Sequence, residues 1–189
     1  MSRYAMGLYA VPKYEGCDVS DVYRIENYLD ALRLSGPTDE SVVRYTAEME
    51  EVYTPEMIEF YKGHYRVMYW PWDTEKKFPR YRIVEEVLYW DYAPQIANWF
   101  KNNVEPIDNW CCPTITDLQK LYTACHTVCM NLDTAPNVLP IPDDVCACDC
   151  DYSDGDYLDV VYATAMEVHR VIHNVDFNKY TIHFDCDWD

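Results

Sequence analysis

The spacing of apolar residues along the chain changes several times, and each change marks an expected element. Tyr4 to Val11 is rich in apolar and aromatic residues and reads as a first strand, with Gly7 marking a bulge or close approach. Between Val19 and Leu34, Val22, Ile25, Tyr28, Leu29 and Leu32 recur at helical spacing, and Ser35-Gly36-Pro37 stops that helix. Thr38 is the expected N-cap of a second, acidic helix running to about Glu51, with Glu40 and Ser41 in its first turn. Thr54-Pro55-Glu56 repeats the start signal for a short third helix, since Pro fits the first helical position.

Beyond that point the pattern shortens and lengthens again. His64 to Trp70 has the β-branched and aromatic content of a strand, and Pro71 ends it. A polar loop from Trp72 to Pro79 follows. Tyr81 to about Val104 reads as one long helix carrying Val84, Val87, Leu88, Ala93, Ile96, Trp99 and Phe100, kinked or broken at Pro94. Thr116 to Leu132 is a further helix, striped by Leu118, Leu121, Tyr122, Cys125, Val128, Cys129 and Leu132. Val145 to Asp151 alternates, with Cys146, Cys148 and Cys150 on one face and Ala147, Asp149 and Asp151 on the other. Tyr157 to His173 is the last helix. The strand Tyr180 to Trp188 closes the pattern, sending Ile182, Phe184, Cys186 and Trp188 one way and His183, Asp185 and Asp187 the other.

About four strands and about five helices without a βαβ rhythm predict an α+β protein: a single domain over residues 1–189 with a small, mostly antiparallel sheet. At 189 residues the chain is long enough to bury a core without a metal or disulfide staple.

Charge changes the picture most. The chain holds 33 Asp and Glu against 15 Lys and Arg, a formal net charge of −18. That sign opposes direct binding to nucleic acid or to anionic membranes and steers the chain towards basic partners. The acids are clustered. From Asp143 to Asp189 there are 12 against Arg170 and Lys179, and from Asp39 to Glu59 seven against Arg44. Lys62 to Arg82 runs the other way, with six basic residues against Asp73 and Glu75.

No apolar run reaches the roughly 18 residues of a membrane helix. The stretch MSRYAMGLYAVPKYEG lacks the apolar core and small-residue cleavage site of a signal peptide. A reducing compartment and free thiols are therefore the expectation for the nine Cys.

The side chains that carry chemistry form no strong motif. Cys125 and Cys129 lie one helical turn apart, with Cys111, Cys112 and His126 in the neighbourhood, but no CxxC pair exists and both fall on an apolar stripe. His169 and His173 share metal-ligand spacing, yet the segment reads HRVIH where a metalloprotease helix has HExxH, and His169 reads as a core-edge residue. The run Asp149 to Asp156 fails the calcium-loop register and reads as an acidic turn capping the next helix. There is no GxSxG elbow and no phosphate-binding Gly-rich loop. No metal and no cofactor are expected.

The acidic C-terminal surface is the sharper lead. Alternate residues on a strand repeat about every 6.8 Å. On neighbouring strands, Asp149 and Asp151 beside Asp185, Asp187 and Asp189 would form a two-dimensional array of charge like that of a phosphate backbone. With Asp154, Asp156, Tyr152 and Trp188 they make the expected partner-binding site.

Five segments resemble a family of phage and prophage proteins. VLYWDYAPQIANWFKNNV is similar to that family's YWRKANAIHKWF helix, and ITDLQKLYTACHTV to the short helix that follows it. VLPIPDDVCACDCDYSDGDYLDVV and YTIHFDCDW match its acidic-aromatic turn and its Trp-closed last strand, and MGLYA is similar to its opening strand. Residues 17–66 then stand as a family-variable helical insertion. The family's Arg-Lys pair is Asp91-Tyr92 here, its Asn is Pro94 and its His is Ala97, so any site built on those residues is gone. The resemblance implies a phage accessory protein in the host cytoplasm. The expected function is inhibition of a basic, nucleic-acid-handling host protein, such as a CRISPR or restriction component, through a DNA-mimic-like surface. Two alternatives remain open: a metal-bound structural module, and a small-ligand binder or enzyme with a pocket between the sheet and the long helix. Tyr89, Trp90, Trp99 and a histidine would line that pocket.

Overall fold

The computed structural model describes residues 5–69, 73–90, 92–107, 110–142 and 154–187. The elements run β1 (Ala5–Pro12), α1 (Val19–Ser35), α2 (Glu40–Val52), α3 (Pro55–His64), β2 (Arg66–Tyr69), β3 (Pro79–Arg82) and β4 (Glu85–Trp90). They continue with α4 (Pro94–Asn103), β5 (Pro106–Ile107), β6 (Trp110–Cys111), α5 (Ile115–Met130), a single 3-10 turn (Leu132–Thr134), α6 (Ala135–Val138), α7 (Asp154–Asn174) and β7 (Tyr180–Asp187). The α+β expectation holds, with more and shorter elements than the apolar spacing implied. The chain forms two compact units, Val11–Glu85 and a unit built from Met1–Ala10 with Glu86–Asp189.

In the larger unit a five-stranded sheet has the order β4-β1-β7-β6-β5, and β5–β6 and β6–β7 are antiparallel. Met6, Leu8 and Ala10 of β1, Ile182, Phe184 and Cys186 of β7, and Leu88 and Trp90 of β4 are buried in one core. Ile96 and Phe100 of α4, Leu118, Leu121, Cys125 and Val128 of α5, and Val161, Ala165 and Val168 of α7 complete it. The rings of Phe100 and Phe184 stack with centroids 4.1 Å apart. Trp90 donates its indole N–H to Thr164 Oγ1 at 2.8 Å, which satisfies the one polar atom of a buried ring. Gly7 is a close-approach residue: a Cβ there would come within 2.8 Å of the Tyr9 ring.

The expected helix from Tyr81 to Val104 is overturned in its first half. β3 and β4, joined by a bend at Ile83 and Val84, lie within residues 79–90, and the helix starts only at Pro94, the first helical position. In β4, Leu88 and Trp90 are buried while Tyr89 between them is exposed, which is the two-residue period of a strand. The strand expected at Val145–Asp151 lies outside the described residues.

The smaller unit packs α1, α2 and α3 with the two-stranded antiparallel sheet β2–β3, in which Val67 faces Tyr81. Asp18 and Asp21 form a capping box that starts α1, and Gly36, at φ 78°, ends it in a conformation open to glycine. The N-cap of α2 is Asp39 rather than Thr38. Its carboxylate accepts the Ser41 N–H at 3.0 Å, and a charged acceptor suits the positive end of a helix. Thr54 caps α3 as expected. The buried carboxylate of Glu26, in α1, accepts the Ile83 N–H at 2.6 Å, and Arg82 Nε lies 2.7 Å from its other oxygen. Asp73 is also buried and folds the turn before β3 by accepting the Lys77 and Phe78 N–H groups. No helix among the described residues is long and apolar enough to cross a membrane.

Candidate partner-binding surface

The residues expected to form the C-terminal acidic surface are only partly placed. Asp154 opens α7, Asp156 is exposed in its first turn, and Asp187 ends β7. Asp185 is half-buried on β7, in register with Trp110 of β6. Asp149, Asp151, Tyr152, Trp188 and Asp189 lie outside the described residues. The alternation of β7 departs from expectation at one position. His183 was to share an outward face with Asp185, and it is only 3% exposed. A strand with neighbours on both sides has no solvent-facing edge, and here residues from both of its faces are covered.

The acidity that the structure displays most openly lies on α2 and α3. Asp39, Glu40, Glu48, Glu50, Glu51, Glu56 and Glu59 are all exposed. Helix α2 turns Val42 and Met49 inward, so its acids fall on the remaining circumference. Counter-charge is sparse and loosely held: Arg44 Nε is 3.9 Å from Glu48, and Lys62 Nζ is 3.7 Å from Glu59. The Ser41 hydroxyl and N–H hold the Asp39 carboxyl below the usual carboxylate range. Clustering of acids in this segment was legible from the sequence; its openness was not, because only the inward turn of Val42 and Met49 fixes which way the acids point.

The basic segment between residues 62 and 82 is largely neutralised. Arg66 pairs with Glu85, Lys77 with Glu75, and Arg82 with Glu26. Lys76 lies over the Tyr69 ring, and Arg33 of α1 sits 4.1 Å from the Tyr81 centroid. Of these contacts, Arg82 with Glu26 and Arg33 over Tyr81 tie the small sheet to α1.

The side chains named for a pocket belong to the core instead. Trp90 and Trp99 are each 7% exposed and pack edge-on against Phe100, and Tyr89 lies on the surface. A shallow groove of about 460 Å³ opens elsewhere, along α5, between Thr116, Lys120, Thr123, Thr127 and Val138.

Two of the described thiols are held in the protonated form. Burial pushes Cys111 and Cys125 up to about 12, so neither forms a thiolate at neutral pH. Among the described residues, no group of three or more His, Cys, Asp or Glu side chains gathers to hold a metal ion. His169 and His173 are exposed rather than core-edge, because α7 turns Val161, Thr164, Ala165, Val168 and Val171 inward.

No family model, curated protein or solved structure matches the chain.

Proposed function

We propose that the chain is a binding protein that occupies a basic protein surface, one whose ordinary ligand is nucleic acid, and so inhibits it. The observation that carries this reading is the set of seven exposed carboxylates from Asp39 to Glu59, opposed only by Arg44 and, at its end, Lys62. They sit in a chain whose net charge is −18. Exposed carboxylates gathered on folded helices attract a cationic surface over about a Debye length. The likeness of the five quoted segments to phage proteins supports a narrower form: an accessory phage protein directed at host defence of the CRISPR or restriction type. The C-terminal carboxylates, Asp154, Asp156, Asp185 and Asp187 with their neighbours, extend the same reading to a second surface.

The test is capture of partners from host lysate by three forms of the full chain. These are the wild type, the variant E40Q/E48Q/E50Q/E51Q/E56Q, and the variant D149N/D151N/D156N/D187N. The proposal expects the captured protein to be basic, to be released by raised salt, and to be displaced by added DNA. At least one variant must lose it. Capture that survives both sets of neutralisations, or that added DNA leaves undisturbed, overturns the reading.

A further inference from the structure

We propose that His169 and His173 form a two-imidazole binding site for a borderline divalent cation of the Cu²⁺, Ni²⁺ or Zn²⁺ class. The two residues are one helical turn apart in the second half of α7, both exposed, on the flank that the core leaves to solvent. Residues four apart on a helix stand one above the other, which is the spacing that lets two imidazoles share one ion. Their rings stack with centroids 4.1 Å apart and planes 28° from parallel, so they are neighbours, and a rotation of one exposed side chain brings both in-plane lone pairs onto one ion.

The hydrogen bonding fixes which nitrogen is offered. His173 Nδ1 is 2.8 Å from the carbonyl oxygen of His169, and a carbonyl can only accept. Nδ1 therefore carries the proton and donates it, leaving the lone pair of a neutral ring on Nε2, away from the helix. This is the arrangement by which proteins orient ligating histidines: one ring nitrogen is tied to an oxygen and the other is presented to the metal. The ring of Tyr122, on α5, lies 5.6 Å from that of His169 and limits the positions His169 can take.

Imidazole nitrogen selects Cu²⁺, Ni²⁺ and Zn²⁺ over Mg²⁺ and Ca²⁺, which require oxygen. With two protein ligands the ion keeps water, or a partner's side chain, in its other positions. The segment has Arg170 where the metalloprotease motif has its general-base Glu, so the site binds and does not hydrolyse. The net charge of −18 adds a general attraction for any dication.

The experiment is calorimetric titration of NiCl2 into the full chain, kept reduced, with the variants H169A, H173A, H126A and the double variant H169A/H173A. All four changes replace an exposed helical residue with a better helix former, and circular dichroism checks that helix content holds. One binding event is expected for the wild type and for H126A. Each of H169A and H173A should weaken it by at least about tenfold, since losing a ligand costs no less than losing a residue that orients one. The double variant should abolish it. A wild type that takes up no Ni²⁺, or binding that persists in the double variant and is therefore borne by thiols, overturns the proposal.

Discussion

Glu26 Oε2 accepts the backbone N–H of Ile83 at 2.6 Å, across 57 positions of sequence. The same carboxylate meets the Arg82 guanidinium, so a single buried side chain on α1 holds the turn that follows β3. Burial raises the Glu26 carboxyl above its ordinary range, while Arg82 and the N–H groups of Ile83 and Val84 draw it back. Replacement by Ala removes the acceptor and leaves a largely covered guanidinium and a buried N–H without it. The expected loss for E26A is about 3 kcal/mol at neutral pH, measured by urea unfolding. The pH dependence has a definite sign. A group whose folded value is raised binds its proton more tightly in the folded chain, so its contribution is present at low pH and lost as pH rises through the folded value. The stability of the wild type relative to E26Q should therefore increase as pH falls from neutral through the carboxylate range. A difference that shrinks towards acid would contradict the burial of this carboxylate.

Trp90 and Thr164 make a second long-range pair, from β4 to α7, with both side chains buried. T164V keeps the shape and removes the acceptor, stranding an indole N–H in the core. The expected loss is about 1–3 kcal/mol. T164S keeps the hydroxyl and removes one methyl, so it should cost about 1 kcal/mol or less. Thermal unfolding of the two variants separates a hydrogen bond from simple filling of space: equal losses would mean the bond contributes nothing.

Much of the fold was legible because local signals agreed with one another. Thr54, Gly36 and Pro55 mark helix ends that hold in three dimensions, since caps act through groups only a few residues away. The segment from Glu85 to Trp90 was misread for a physical reason. Val84, Val87 and Leu88 fit helical spacing, while Leu88 and Trp90 fit a strand, and six residues are too few for either period to prevail. What decided it was pairing with β1, which no local pattern contains. His183 has the same origin: polarity placed it outward, and it is buried, with the Tyr9 ring of the neighbouring strand β1 6.2 Å from its own. In the candidate site, the charge was legible and its direction was not. Only the inward turn of Val42 and Met49 shows which way the acids of α2 face.

The described thiols divide by burial into two reactivity classes. Cys111, Cys125 and Cys186 are buried, and burial holds the first two near 12. Cys129 is exposed, and Cys17 and Cys112 are half-buried. Brief treatment of the native chain with iodoacetamide, followed by peptide mass spectrometry, should label Cys129 first and leave Cys111, Cys125 and Cys186 intact until denaturant is added. Early labelling of Cys125 would show that α5 separates from the core on the timescale of the reaction.

The order of strands sets a schedule for the growing chain on the ribosome. Strand β7 lies between β1 and β6, yet it is made after every other described element. Strand β1 leaves the ribosome with its Met6, Leu8 and Ala10 ready for burial and must wait for roughly 170 more residues before that neighbour exists. At about 5–20 residues per second, this delay is on the order of ten to thirty seconds. Over that interval the smaller unit, Val11–Glu85, is already complete in sequence. The larger sheet can close only once β7 has been made, so its apolar strands are most open to chaperones and to misassociation before that point.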